Sequence, residues 1–244
     1  MLRVLIAWIF TILYWPAVLL VYALSFKKLS ERWTTGSIHF WGKALLWILG
    51  IRLEFVNPDN LTDRSPRVVI INHQSALDVL WTAATAAPAP MAIGKKEVIF
   101  IPIINLAWWA FGFVRVDRKH HQKALAALAG VGKKIRDEKR SLYIAVEGTR
   151  TYDGKILPFK KGAFHLAYEA QAPICPVVVD GAYQLLPRNG FFPKKGVIRL
   201  FYLPPVSAQE IQQAFANDQM DQLIEKVRGD MVLALESMRK NGSG

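Results

Sequence analysis

His73 and Asp78 stand five residues apart at the end of an apolar run, in "VVIINHQSALD". A carboxylate bonded to one imidazole nitrogen fixes the tautomer and leaves the other nitrogen free to take a proton from an alcohol. Such a dyad needs no serine nucleophile when the substrate brings its own hydroxyl. On a regular helix, five steps of about 100° would leave the two side chains roughly 140° apart. They meet only if His73 lies in a strand-to-helix turn and Asp78 faces back from the first helical turn. The same residues allow a purely structural reading, in which Ser75 caps the helix, Asp78 completes an S-x-x-D capping box and His73 is a loop residue. Both readings stand at this level. A rival pair, His165 and Glu169, has i, i+4 spacing and reads as an ordinary helix-surface pair. His39, His120 and His121 have no suitably placed acid, and nothing has zinc-ligand spacing, so no metal site is expected.

Further candidate residues sit at strand ends. "FGFVRVDR" carries Arg115 and Arg118, and "VEGTR" carries Glu147, Gly148, Thr149 and Arg150. Guanidinium grips phosphate bidentately and glycine lets the backbone approach, so each cluster suits an anionic group as well as it suits a solvated charged surface. Lys95, Lys96, Lys160 and Lys161 read either as a basic face in water or as contacts for phosphates.

These residues need a scaffold of alternating strands and helices. "RLEFV", "RVVIIN", "FVRVD", "LYIAV" and "GVIRLFYL" read as strands. Ser75 to Ala87, Lys119 to Glu138, "KGAFHLAYEA" and Ser207 to Arg239 read as helices. "ICPVVV" reads as a strand that Pro176 confines to an edge or a bulge. "TAATAAPAPMA" reads as a helix end running into a loop. The expected architecture is α/β, with a mixed, partly parallel sheet flanked by helices.

Residues 1–51 differ from the rest. Val4 to Phe26 holds no charge and is long enough for a hydrocarbon core of roughly 30 Å, although Pro16 and scattered Trp and Tyr also suit a bent element in one leaflet. "IHFWGKALLWILGI" is too short to span and suits an interfacial helix. The two segments predict a membrane-anchoring helical hairpin over 1–51, followed by a catalytic domain over 52–244. A cleaved signal peptide is disfavoured, because the apolar stretch exceeds a signal core and no clear small-x-small site follows. Lys27, Lys28 and Arg32 outweigh Arg3, which places the remainder on the cytoplasmic side of the inner membrane. Thirty-one Lys and Arg against 19 Asp and Glu give +12, an attraction to polyanions. With 52% hydrophobic residues, 8 Trp and 13 Phe, this favours a lipid surface over nucleic acid, for which no recognition motif is present. The lone Cys175 allows no internal disulfide and reads as a buried hydrophobe.

Taken in order, "NHQSALD", "GFVRVDR", "VEGTR" and "PICPVVV", with "LPFKKGAF" between the last two, resemble the four motif blocks of the 1-acyl-sn-glycerol-3-phosphate acyltransferase family of glycerolipid acyltransferases. The resemblance implies transfer of an acyl group from an acyl thioester, acyl-CoA or acyl-carrier protein, to the sn-2 hydroxyl of lysophosphatidic acid in the membrane, without a cofactor. It implies His73 as general base, Asp78 as its partner and Glu147–Arg150 as the acceptor-binding loop. Arg115 and Arg118 would assist the acceptor phosphate, Lys95, Lys160 and Lys161 would hold donor phosphates or the lipid surface, and Pro176 would shape the donor side. Acylation of glycerol-3-phosphate or another lyso-lipid, and thioester hydrolysis by the same dyad, are the competing activities.

Overall fold

The apolar residues of the chain partition between two faces of one sheet, and this arrangement is what positions the candidate residues. The structure, a computed structural model, describes residues 1–25, 30–61, 65–87, 89–95, 105, 108, 112–116 and 130–241. Arg118 and Lys96 lie outside them, as does most of the expected helix at 119–138, of which residues 130–137 are helical. The strands are β1 (Ile51–Val56), β2 (Val68–Ile71), β3 (Pro90–Lys95), β4 (Val114–Val116), β5 (Ser141–Ala145), β6 (Ile174–Asp180) and β7 (Gly196–Tyr202). They form a seven-stranded sheet in the order β1-β7-β6-β2-β5-β3-β4. Neighbours run parallel except β6 and β7, so the sheet is mixed and mostly parallel.

Alternate residues of each strand face opposite ways. Val68, Ile70, Ile174 and Val178 pack against helix 130–137 and against α5 (Gly162–Ala170), α7 (Ala208–Ala216) and α8 (Met220–Asn241), where helix 130–137 is counted as α4 and the short Ala182–Leu185 turn as α6. Val69, Ile71, Cys175 and Val177 pack on the other face under α3 (Asp78–Thr85) and the end of α2 (Glu31–Leu49). A third apolar layer joins α1 (Leu2–Leu24) to α2 and α3 through Trp15, Val18, Trp41 and Leu45.

Helix α1 runs unbroken through Pro16 and is the one described helix long and apolar enough to cross a membrane. Helix α2 is longer than the expected apolar segment. Ser30 caps its start by accepting from the Trp33 N–H, and Gly50, at φ 74°, closes its end before Ile51 enters β1.

Two strand expectations need correction. β6 is not an edge: it lies between β2 and β7 and is buried along its whole length. Pro176 is tolerated there because its carbonyl accepts from Leu203 N–H at 3.1 Å, just where β7 is leaving the sheet. The missing N–H faces that same side, so one bond is lost at an irregular step in the pairing, as the bulged alternative has it, and pairing resumes one residue out of register in the two-bond Ile174–Val206 bridge. The segment expected as a loop after α3 forms β3, and Pro90 takes its first position, where a missing donor matters least. Helix α3 starts at Asp78 instead of Ser75, because Gln74 and Ser75 turn their backbone N–H groups toward the Asp78 carboxylate.

Helix α2 crosses α3 with nothing but a glycine between them. A Cβ at Gly42 would lie 2.6 Å from Ala84 N, 2.7 Å from Leu80 O and 2.9 Å from Ala83 Cβ. Two of those atoms are backbone, which cannot swing aside. Gly42→Val should therefore destabilise the protein by about 1–3 kcal/mol, the usual cost of overpacking. The check is a lowered denaturant midpoint at unchanged slope; an unchanged midpoint would contradict the contact.

Candidate active site

β2 and β5 are neighbours whose following helices go to opposite faces, α3 to one and α5 to the other. A crevice opens at such a switch point, outside the carboxyl ends of the strands. His73 and the Glu147–Arg150 loop lie there. Because β7 is antiparallel to β6, and β1 parallel to β7, the amino ends of β7 and β1 lie at the same end of the sheet.

The turn after β2 is built from its own polar side chains. Asn72 continues the ladder with its amide, donating to Val179 O at 3.0 Å and accepting from Val179 N at 2.7 Å. The backbone thereby leaves the sheet without exposing buried polar groups of β6. His73 Nδ1 then meets Asp78 Oδ2 at 2.7 Å. The same oxygen accepts from Gln74 N at 2.9 Å and Ser75 N at 3.0 Å, and Oδ1 accepts from Trp81 Nε1 at 3.0 Å. Backbone and indole N–H groups only donate, so the carboxylate is the acceptor throughout and His73 Nδ1 carries the hydrogen. Nε2 is the nitrogen left to act as a base, and the His73 side chain keeps 25% of its surface open to solvent.

Ser75 does not cap the helix, which starts at Asp78 without a side-chain cap, and only the Ser75 N–H to Asp78 half of the expected capping box forms. Asp78 caps the turn and holds the imidazole. Ser75 takes no nucleophile's position, since its hydroxyl donates to Leu186 O at 2.7 Å and accepts from Leu77 N at 3.2 Å. His165, of the rival pair, stands edge-on to Phe215 with ring centroids 6.0 Å apart.

The loop after β5 grips the histidine's backbone from both sides. Glu147 Oε1 accepts from His73 N at 3.2 Å, and Thr151 N donates to His73 O at 2.8 Å. Gly148 has φ 74°, a left-handed conformation that favours glycine, and the Lys160 side chain lies over it. Glu147 is buried, and its Oε2 has no hydrogen-bond partner among the described residues. Burial pushes this carboxyl up to about 8, the Asp78 charge adds to the rise, and the His73 N–H pulls partly back.

The remaining predicted residues divide. Thr149 and Arg150 lie in the loop beside His73. Lys160 is exposed beside Gly148, whereas Lys161 pairs with Asp221 at 2.6 Å, which ties the start of α5 to α8. Arg115 and Lys95 have described backbones in β4 and β3, where Gly94 pairs with Arg115 and Lys95 with Val116. Pro176 lies opposite Ile70, three residues before His73 in the ladder, and lines a groove with Leu203, Pro204 and Leu233. It is not brought to the dyad.

A segment that sequence reasoning missed binds the two loops together. After β6, Tyr183 N donates to Gln74 Oε1 at 3.2 Å and Leu186 O takes the Ser75 hydroxyl, while the Tyr183 hydroxyl donates to Tyr152 O at 2.8 Å. Arg188 Nη1 donates to Thr149 Oγ1 at 3.0 Å and Arg150 O at 2.9 Å, with its guanidinium 4.3 Å from the centroid of the Tyr152 ring. From α8, Arg239 adds a link, with Nε 3.0 Å from Asp180 Oδ1 and Nη2 2.9 Å from Gly154 O. The only sequence signal for Arg188 is a cation ahead of an Asn-Gly turn, outside every motif block.

The family and the fold are established by comparison with known proteins. Residues 52–180 match the family model described as Acyltransferase. Over 81% of its length the chain is 32% identical to mouse (Mus musculus) 1-acyl-sn-glycerol-3-phosphate acyltransferase alpha, covering 68% of that protein. Over 87% it is 32% identical to the 1-acyl-sn-glycerol-3-phosphate acyltransferase of Saccharomyces cerevisiae, covering 68% of it. The enzyme of that name from Salmonella typhimurium is 29% identical over 83% of this chain and 80% of its own. In fold, the crystal structure of the 1-acyl-sn-glycerophosphate (LPA) acyltransferase PlsC from Thermotoga maritima superposes with a TM-score of 0.75 at 22% identity, covering 97% of this chain and 98% of that one. The protein is an O-acyltransferase. It belongs to the 1-acyl-sn-glycerol-3-phosphate acyltransferase family.

Two outcomes follow from the loop geometry. A carboxyl whose folded value lies above its unfolded one stabilises the fold at low pH and loses that contribution as pH rises toward the folded value. Glu147→Gln should therefore gain melting temperature relative to the parent between pH 4.5 and about 8, with the gap widest at the upper end. A gap that stays constant with pH would refute this. Arg188→Met should raise amide hydrogen exchange several-fold at residues 148–152 while leaving β2 protected; unchanged exchange would show that the loop does not depend on Arg188.

Proposed function

We propose that the protein moves a fatty acyl group from an acyl thioester to the sn-2 hydroxyl of 1-acyl-sn-glycerol-3-phosphate, giving phosphatidic acid. The observation that carries this reading is the 2.7 Å contact between His73 Nδ1 and Asp78 Oδ2, which leaves Nε2 available at the strand ends beside the Glu147–Arg150 loop. The names of the relatives support the choice of acceptor.

In this reading His73 Nε2 removes the proton of the acceptor hydroxyl as its oxygen attacks the thioester carbonyl carbon. The C–S bond then breaks, and the imidazolium returns the proton to the departing thiolate. Asp78 stabilises the imidazolium in between. A positioned base of this kind contributes typically about 10²–10⁴-fold in rate. The Glu147–Arg150 loop receives the acceptor, with Arg115 and Arg118 assisting its phosphate. Lys95 and Lys160 serve the donor's phosphates or the lipid surface, acyl-CoA and acyl-carrier protein both being suitable donors. Lys161, already paired with Asp221, has the weaker claim to that role, and so does Pro176, away from the dyad. Helices α1 and α2 hold the site at the cytoplasmic headgroup level, where acceptor and product reside, and the positive charge following α1 supports that orientation.

The test is thiol release from oleoyl-CoA by the protein in lipid, measured with lysophosphatidic acid, with glycerol-3-phosphate and with no acceptor. Release should require lysophosphatidic acid and fall about 10²–10⁴-fold in His73→Ala. Release without acceptor would make the protein a thioesterase, and full activity in the variant would remove His73 from the mechanism.

A further inference from the structure

Between α6 and β7 the sequence runs "PRNGFFPKKG". Its ends are tied, because Lys194 N donates to Leu185 O at 2.8 Å and Gly190 N to Pro187 O at 2.9 Å. The loop is therefore a built projection. Phe191 is 86% exposed and Phe192 56%, and Lys194 and Lys195 beside them are also exposed. Two adjacent phenylalanines held in water by a tied loop, flanked by cations, leave most of their apolar area uncovered by the fold. That area is buried only against something outside it.

The position of the loop says what that is. It stands at the site end of the sheet, since β7 begins where β6 ends. On one side Arg188 reaches the Thr149–Arg150 loop. On the other side Lys195 lies at the junction of the apolar helices: a Cβ on Gly50 would be 3.1 Å from Lys195 Cγ and would also meet the Arg3 guanidinium. Arg3 Nη1 in turn donates to Leu49 O at 3.3 Å, at the carboxyl end of α2. The first turn of α1, with Leu2 70% exposed, and Trp47 near the end of α2, 82% exposed, add further uncovered apolar side chains at these helix ends. The outward side of α1, through Leu5, Trp8, Ile9, Ile12 and Leu13, is exposed along its length. The amino end of a helix fit for lipid and the base of the Phe191–Phe192 loop thus meet at Gly50, and Arg3, Lys194 and Lys195 add positive charge there.

We propose that the 188–195 loop is a second membrane-docking element, with Phe191 and Phe192 seated among the acyl chains of an anionic leaflet and Lys194 and Lys195 at its headgroups. Aromatic side chains and cations are the residue types that hold a protein at this depth. Docking here would turn the crevice toward the leaflet through a contact that α1 alone does not provide. The inference concerns position on the lipid and stands apart from the identity of the acceptor.

The experiment places a nitrobenzoxadiazole fluorophore on Phe191→Cys and, separately, on Gln209→Cys, an exposed position of α7 at the opposite end of the sheet. Labelling the full-length folded protein leaves the buried Cys175 out of reach, and unmutated protein serves as the blank. Vesicles of phosphatidylcholine with and without phosphatidylglycerol are added, and flotation is measured in parallel. At position 191 a several-fold rise in emission with a blue shift is expected on the anionic vesicles, quenched by doxyl-labelled lipid, with no change at position 209. A protein that floats while the fluorophore at 191 behaves as in buffer would overturn the proposal and leave anchoring to α1. A protein that does not float would overturn both. Equal responses on both vesicle types would overturn the part given to the lysines.

Discussion

The Asp78 carboxylate is the constraint around which this end of the molecule is arranged. Four donors converge on two oxygens, from the imidazole, two backbone amides and an indole. Charge-assisted hydrogen bonds of this kind are shorter and roughly twice as strong as neutral ones, and their number here fixes direction as well as energy. The turn cannot open without stranding a buried carboxylate, so local folding and histidine orientation become a single event. Trp81 extends the constraint into the core, because it packs under the sheet with Val69, Cys175 and Val177 while its N–H holds Oδ1.

Around that point the structure adds brackets instead of further ligands. The loop after β5 holds the His73 peptide on both sides, and the segment after β6 holds both loops. Sites made on loops are normally less defined than sites made on helices or strands. Here loop-to-loop hydrogen bonds supply the missing rigidity. The buried Glu147 belongs to this bracket: it takes an N–H that would otherwise be orphaned, at the cost of a carboxyl that resists ionisation.

The strands around His73 were legible because buried parallel strands are written as continuous apolar runs, as in "VVII" and "LYIA". The His73–Asp78 contact was legible for a different reason: it spans five residues, so backbone geometry alone decides whether the side chains meet. Pro176 offered an edge or a bulge, and a local rule about missing donors could not choose: β6 is internal, and the pairing steps out of register beside the proline. β3 was missed because "PMAIGK" becomes a strand only through β5 and β4 beside it. Arg188 was invisible for a related cause. Its partners, Thr149 and Arg150, lie 39 and 38 residues away, and nothing in its immediate neighbourhood announces them.

The β1–β7 pair sets an order in the sequence. Edge strand β1 follows directly on α2, yet its partner β7 comes far later; Glu54 and Arg199, which pair across it, are separated by 145 residues. The clamp from Arg239 to Asp180 and Gly154 depends on the last helix of the described chain. As the chain leaves the ribosome, α1 and the His73 segment therefore emerge while the sheet is still unclosed, ahead of the segments that hold the turn. An apolar helix that waits exposed for the rest of its domain is a liability in water and a natural first step at a bilayer. Contacts this distant in sequence close more slowly than local ones, so the helix fit for lipid is available before the sheet is complete.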